Sequence, residues 1–242
     1  MGRLDGKIAV VSGAGSGIGL AIAERFGAEG AEVVLVGRQQ QRLIEAAARI
    51  GGGARGVSVD VGDEAAVKAL FDALPRVDIL CTCAGSAVFG PVDELPPSEW
   101  KQLFHARFFG QLYAVHYAVP KMPEGSAILL CSGIADAAYV PEYAGGAAIC
   151  GAVNAMGRNL AVELAPRGIR VNVLSPGFII GTDIKFNLAG EKAIAFVKKS
   201  IADTPMGHGG KPEDLADAAM FLATCDFVAG QVIEVDGGWT AT

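Results

Sequence analysis

The sequence predicts one α/β domain spanning residues 1–242, built on a doubly wound parallel sheet with helices on both faces. Three observations carry that prediction. Short β-branched apolar runs alternate along the chain with longer segments of helical spacing. The short runs are apolar throughout rather than at every second position, as expected of strands buried on both sides by crossover helices. Of the 242 residues, 51% are hydrophobic and 33 are glycine, enough for a large core and many tight strand-to-helix turns.

Taken in order, residues 7–12 read as the first strand, ending in a glycine-rich turn that opens a helix over 17–29. A strand at 32–37 and a helix at 40–50 follow, then a strand at 55–59 and a helix at 63–74. The fourth strand falls at 77–82, and helical spacing runs without a break from 97 to 119. Strands at 126–131 and 169–175 flank a helix over 143–164 that is rich in small residues. A helix over 212–223 and a strand at 231–235 complete the alternation. Only residues 178–206 break it. A long insertion beside the strand ends is read as a substrate lid.

The net charge of −6 leaves no basic footprint for nucleic acid. No apolar run approaches the ~18 residues of a membrane span, and no apolar segment of a signal peptide follows the first residues. Five cysteines, an odd number, lie in apolar stretches, as expected of reduced thiols in a cytoplasmic protein. Cys81 and Cys83 form a C-x-C pair with no second pair or histidine cluster, so packing is favoured over zinc and no metal is expected. The positive mean hydropathy points to a buried oligomer interface.

The turn after the first strand reads Ser12-Gly13-Ala14-Gly15-Ser16-Gly17-Ile18-Gly19. It does not match G-x-G-x-x-G in any register. Closely spaced glycines at a helix N-terminus still let backbone amides approach a pyrophosphate; the alternative is a tight turn that binds nothing. The second strand ends at Arg38, with no carboxylate to hold a ribose 2′-hydroxyl. Arg38 suits a 2′-phosphate, or is a solvated helix-start residue. Asp60 suits an adenine amino group, or caps a helix.

These residues and four further segments make the chain resemble the short-chain dehydrogenase/reductases over essentially its whole length. Gly13-x-x-x-Gly17-x-Gly19 is similar to the family's phosphate turn, and Asp60-Val61 to its adenine contact. Ile169-Arg170-Val171-Asn172 with Ser175-Pro176-Gly177, then Lys211-Pro212-Glu213-Asp214, then Val235-Asp236-Gly237-Gly238 follow in the family's order. The resemblance implies a seven-stranded Rossmann sheet, a nicotinamide cofactor and often a homotetramer, with a homodimer the smaller alternative. It implies cofactor contacts from Gly13, Ser16, Gly17, Ile18, Gly19, Arg38, Asp60, Val61, Cys83, Ala84, Gly85, Pro176, Gly177, Ile179 and Thr182. An arginine in the place of Arg38 goes with NADP(H) rather than NAD(H).

The same resemblance places Ser132 and Tyr143 at the family's catalytic serine and tyrosine, although the loop between them is shorter than usual. Two positions depart from the pattern. Ala147 stands where the family's Tyr-x-x-x-Lys motif has lysine, and Arg107 stands where it has asparagine. The lysine normally holds the ribose and lowers the tyrosine pKa. A free tyrosine has pKa ≈ 10, and losing a nearby cation removes roughly 10²–10⁴ in rate. Arg107 is therefore expected either to supply the missing cation, lowering the Tyr143 pKa, or to form a structural ion pair with Asp136 or Glu142. The expected activity is NADP(H)-dependent interconversion of a carbonyl and a secondary alcohol on an apolar small molecule. Val88, Phe89, Tyr139, Val140, Phe178 and Ile180 are the candidate apolar lining. The alternative is a non-redox relative that keeps the cofactor pocket as a scaffold or regulator, or uses Tyr143 as acid or base in a lyase or cyclase step.

Overall fold

The computed structural model describes residues 2–182 and 190–242. Seven strands, β1 (Ile8–Ser12), β2 (Glu32–Gly37), β3 (Arg55–Ser58), β4 (Ile79–Thr82), β5 (Ala127–Cys131), β6 (Arg170–Pro176) and β7 (Val232–Val235), form one parallel sheet. Their order is β3-β2-β1-β4-β5-β6-β7. The order reverses between β1 and β4, so a crevice opens outside their C-terminal ends, where ligands of such sheets bind.

Helices α1 (Gly17–Ala28), α2 (Gln40–Ile50) and α8 (Pro212–Thr224) cover one face of the sheet through Phe26, Leu43 and Met220. Helices α3 (Glu64–Asp72), α5 (Gly110–Ala118) and α6 (Ala144–Leu164) cover the other through Phe71, Val115 and Val153. Both layers are needed because β1, β4 and most of β5 and β6 are buried along their length. Burial at ~25 cal/mol per Å² of apolar surface drives that arrangement.

Two segments differ from the sequence expectation. The helix expected over 97–119 is divided into α4 (Pro97–Phe104), a π turn at His105–Phe109 and α5. Within 178–206, residues 190–203 form α7 (Gly190–Asp203), which the apolar spacing had not marked as a helix. Residues 183–189 of the expected lid lie outside the described residues.

Candidate active site

At the C-terminal end of β1 the chain turns under two constraints. Gly13 has φ +70°, and a Cβ there would sit 2.7 Å from the Cys83 carbonyl oxygen. A Cβ on Gly19 would lie 2.5 Å from the Gly13 carbonyl oxygen. Both positions therefore require glycine. Ser16 is the extended residue preceding α1, its side chain makes no capping bond, and the first turn of α1 holds no acid. The positive end of this helix is left open to an anion beside the bare glycine backbone, with Ile18 in the first turn. A Cβ on Gly17, at φ +55°, would lie 3.4 Å from Thr182 Cα, which brings the segment after β6 over the turn. Thr182 is held there by its hydroxyl, which donates to the Ile179 carbonyl at 3.1 Å.

A cavity of about 700 Å³ is lined by Arg38, Asp60, Gly62, Ser86, Lys101 and His105 among others. Asp60 accepts the Gly62 amide at 3.0 Å. It does not cap α3, whose N-cap is Asp63, accepting from the Ala66 amide at 3.1 Å. Val61 packs where a Cβ on Gly110 would lie, at 3.0 Å. The Ala84 amide donates to Ser12 Oγ at 3.3 Å, tying the Cys83-Ala84-Gly85 loop to the end of β1. The Gly177 amide donates to Val235 at 3.0 Å, which fixes Pro176 and Gly177 against the last strand. Glycines that a Cβ would block and an uncapped helix start make a cradle that fits the pyrophosphate of a nicotinamide dinucleotide.

A second cavity, about 130 Å³, lies across the sheet end and is lined by Phe89, Arg107, Ser132, Tyr143, Phe178 and Phe196, among others. Tyr143 immediately precedes α6, and the Ala147 amide donates to its carbonyl at 2.9 Å. Its ring stacks on Phe89 with centroids 4.4 Å apart. The ring also lies against Gly146, where a Cβ would come within 2.0 Å of Tyr143 Cζ. Gly146 is therefore a site residue that the sequence reading missed.

Arg107 Nη1 donates to Tyr143 Oη at 2.5 Å, and Nη2 donates to the Ser132 carbonyl at 3.3 Å. The structure thus brings together all three residues singled out for catalysis. The ion pair weighed for Arg107 does not form; among the described residues no carboxylate bridges it, and Asp136 instead accepts from Asn154 at 2.7 Å. Gly85 leaves room for the arginine stem, since a Cβ there would lie 3.1 Å from Arg107 Cγ. Ser132 lines the cavity, but its hydroxyl donates to the Cys150 carbonyl at 3.2 Å.

Burial opposes the Arg107 charge, but the Tyr143 phenol and the Cys150 and Cys131 thiols favour it, so its pKa rises. Burial pushes the Tyr143 phenol up, while the Arg107 charge and hydrogen bond pull it down; burial wins. The expectation of a net lowering is corrected on this point. The cation is in place, but desolvation of the phenolate outweighs it. At neutral pH Tyr143 is an acid holding its proton. Cys83 and Cys131 are also held as thiols well above the usual range; for Cys83 the hydrogen bond to Cys131 lowers it, but Cys81 and burial outweigh that.

The apolar lining is partly as expected. Phe89, Val140 and Phe178 line the smaller cavity, Val88 lines the larger one, and Tyr139 is 82% exposed. Ile180 is half exposed. Phe196 on α7 replaces them, packing edge-on to Phe89 at 5.0 Å.

Comparison with known proteins agrees with this geometry. The family model described as enoyl-(acyl carrier protein) reductase matches residues 13–240. An NADP-dependent (R)-specific alcohol dehydrogenase of Lentilactobacillus kefiri is 35% identical, over 99% of this chain and 98% of its own. An uncharacterized oxidoreductase of Methylorubrum extorquens is also 35% identical, over 98% and 99%. A solved structure described as a short chain dehydrogenase/reductase family protein superposes with a TM-score of 0.88 at 33% identity, covering 99% of this chain and 100% of that one. Together with the seven-stranded sheet, the glycine turn and the tyrosine at the head of α6, these matches show that the chain belongs to the short-chain dehydrogenase/reductase family of oxidoreductases.

Proposed function

We propose that this protein is an NADP(H)-dependent carbonyl reductase for a small, largely apolar substrate, with a Tyr143–Arg107 pair in place of the family's tyrosine and lysine. The observation that carries the reading is the hydrogen bond from Arg107 Nη1 to Tyr143 Oη. A guanidinium has donors only, so the phenol oxygen must accept that bond and its own proton is free to point into the cavity. Tyr143 is the catalytic acid, passing its proton to the substrate oxygen as that oxygen gains charge. The guanidinium stabilises the negative charge left on the phenol, and does so in a site partly closed to water. Phe89 and Gly146 pack against the ring. The cofactor supplies the hydride when bound, and Arg38 with the Gly13–Gly19 backbone holds it.

Phe89, Val140, Phe178 and Phe196 give the cavity an apolar wall, supporting a hydrophobic substrate. Because the Tyr143 pKa is raised, the neutral acid persists through physiological pH, favouring reduction over oxidation. The five cysteines are free thiols, and no helix among the described residues is long and apolar enough to cross a membrane. The proposed cytoplasmic setting rests on the sequence composition alone. The test is a panel of aryl and alkyl ketones with NADPH, run on the parent and Tyr143→Phe. Turnover in the parent and a loss of roughly 10²-fold or more in the variant are expected. Tight NADPH binding with no turnover across the panel would instead support a non-redox role.

A further inference from the structure

The π turn at His105–Phe109 is closed by a bond from the Gly110 amide to the His105 carbonyl, five residues back. Such a turn inserts one residue into the helix and rotates the side chains that follow, and it is frequent at functional sites. Arg107 sits at its centre. Two residues past the turn, Gln111 is 4% exposed and uses every hydrogen-bonding valence of its amide. Its Nε2 donates to the Arg107 carbonyl at 2.7 Å and to the Cys131 carbonyl at 2.9 Å. Its Oε1 accepts the Thr82 hydroxyl at 2.6 Å and the Cys131 amide at 3.3 Å.

Packing alone does not call for an amide here. A methionine would fill similar volume without the desolvation that a buried carboxamide suffers. What the amide adds is a bridge from the Arg107 peptide to the ends of β4 and β5. Ser132, whose carbonyl accepts Arg107 Nη2, follows Cys131 directly. Gln111 thus holds the backbone of both Arg107 and the serine strand end through one planar group. We propose that Gln111 is the positioning residue that locks the π turn and thereby aims the Arg107 guanidinium at Tyr143. This rests on the functional reading above, in which the guanidinium serves the Tyr143 proton. Without the bridge the turn relaxes toward α-helical register, and Arg107 swings away from the phenol.

The test reads Tyr143 without requiring turnover. A trifluorotyrosine at position 143 brings the phenol's titration into the range where the protein is stable, and ¹⁹F NMR follows it. The titration is run on otherwise unchanged protein, Gln111→Met, Arg107→Met and the double variant. The expected result is a midpoint moved to higher pH in Gln111→Met, with no further movement when Arg107 is already methionine, since Gln111 acts through Arg107. A midpoint unchanged in Gln111→Met, or moved equally with and without Arg107, overturns the proposal. Should Gln111→Met fail to fold, Gln111→Asn keeps the amide but is one methylene too short for the bridge, and the same outcomes apply. If ketone reduction is observed, kcat in Gln111→Met falls about ten- to a hundredfold, within the range of positioned proton transfer, while KM stays within about twofold. A titration that follows expectation in a protein without turnover leaves Gln111 in its role and overturns only the reductase reading.

Discussion

Arg107→Met removes the guanidinium while keeping most of the stem that packs beside Gly85. The Nη1···Oη distance of 2.5 Å puts the charge centres of Arg107 and an ionised Tyr143 close together. At a separation of ~4 Å and an effective dielectric near 20, the attraction is about 4 kcal/mol, or roughly three decades in an equilibrium constant. If about half the phenolate charge has developed at the transition state, reduction slows roughly 30-fold; with full charge, ~10³-fold. The pH profile carries the sign. Reduction needs the protonated phenol, so its rate is flat through neutral pH and falls as Tyr143 ionises at alkaline pH. Removing the cation moves that fall to still higher pH. Oxidation of the alcohol needs the phenolate, and its rising limb moves upward by the same displacement. The assay is kcat/KM for NADPH-dependent ketone reduction and the reverse oxidation, from pH 6 up to the highest pH at which thermal melting shows the protein still folded. A variant with the parent's kcat/KM and an unmoved alkaline limb would refute the argument.

Three further outcomes follow from the same geometry. Gly146→Ala drives a Cβ into the Tyr143 ring, 2.0 Å from Cζ; kcat/KM falls by about 10²-fold or more, while NADPH affinity, measured by fluorescence titration, stays near the parent's. Arg38→Ala weakens NADPH roughly tenfold or more and NADH little, by loss of a charge-assisted contact; equal weakening of both shows that Arg38 does not read the 2′-phosphate. The protein is expected to sediment as a homo-oligomer, a tetramer by the family pattern, through the helical segments 97–119 and 143–164, on which Phe109, Leu112 and Val162 are exposed; a stable monomer at micromolar concentration contradicts this.

The sheet was legible because each strand carries its own signal. In the central strands both faces are buried, so apolar runs such as Ile8–Ser12 and Ala127–Cys131 stand out without reference to the rest of the chain. The π turn was not legible. Its one-residue slip is imposed by Gln111 bridging to Thr82 and Cys131, partners far away in sequence, so helical spacing runs through it unmarked. Arg107 could be flagged from its place in the family pattern, but its contact with Tyr143 depends on that slip. Gly146 left no trace either, because a glycine near a helix start has many explanations and only the ring lying over it selects one. Tyr139 and Ile180 were expected in the lining because they are apolar and lie on segments at the strand C-terminal ends, criteria that cannot tell a cavity wall from an exposed loop residue. Phe196, on a helix that apolar spacing did not mark, takes the place they were expected to fill.

The central claim is that proton chemistry survives here by moving the cation from the position of Ala147 to that of Arg107. It is tested most directly by comparing the parent with the double variant Arg107→Asn/Ala147→Lys, which restores the family's arrangement. Both are assayed for NADPH-dependent reduction of the same ketones. The account predicts an active parent and a double variant no faster than it, because Gly146 and the π turn hold Tyr143 toward residue 107. An inactive parent alongside an active double variant would contradict it, showing a fold that kept its cofactor cradle after losing the cation that its proton chemistry needs.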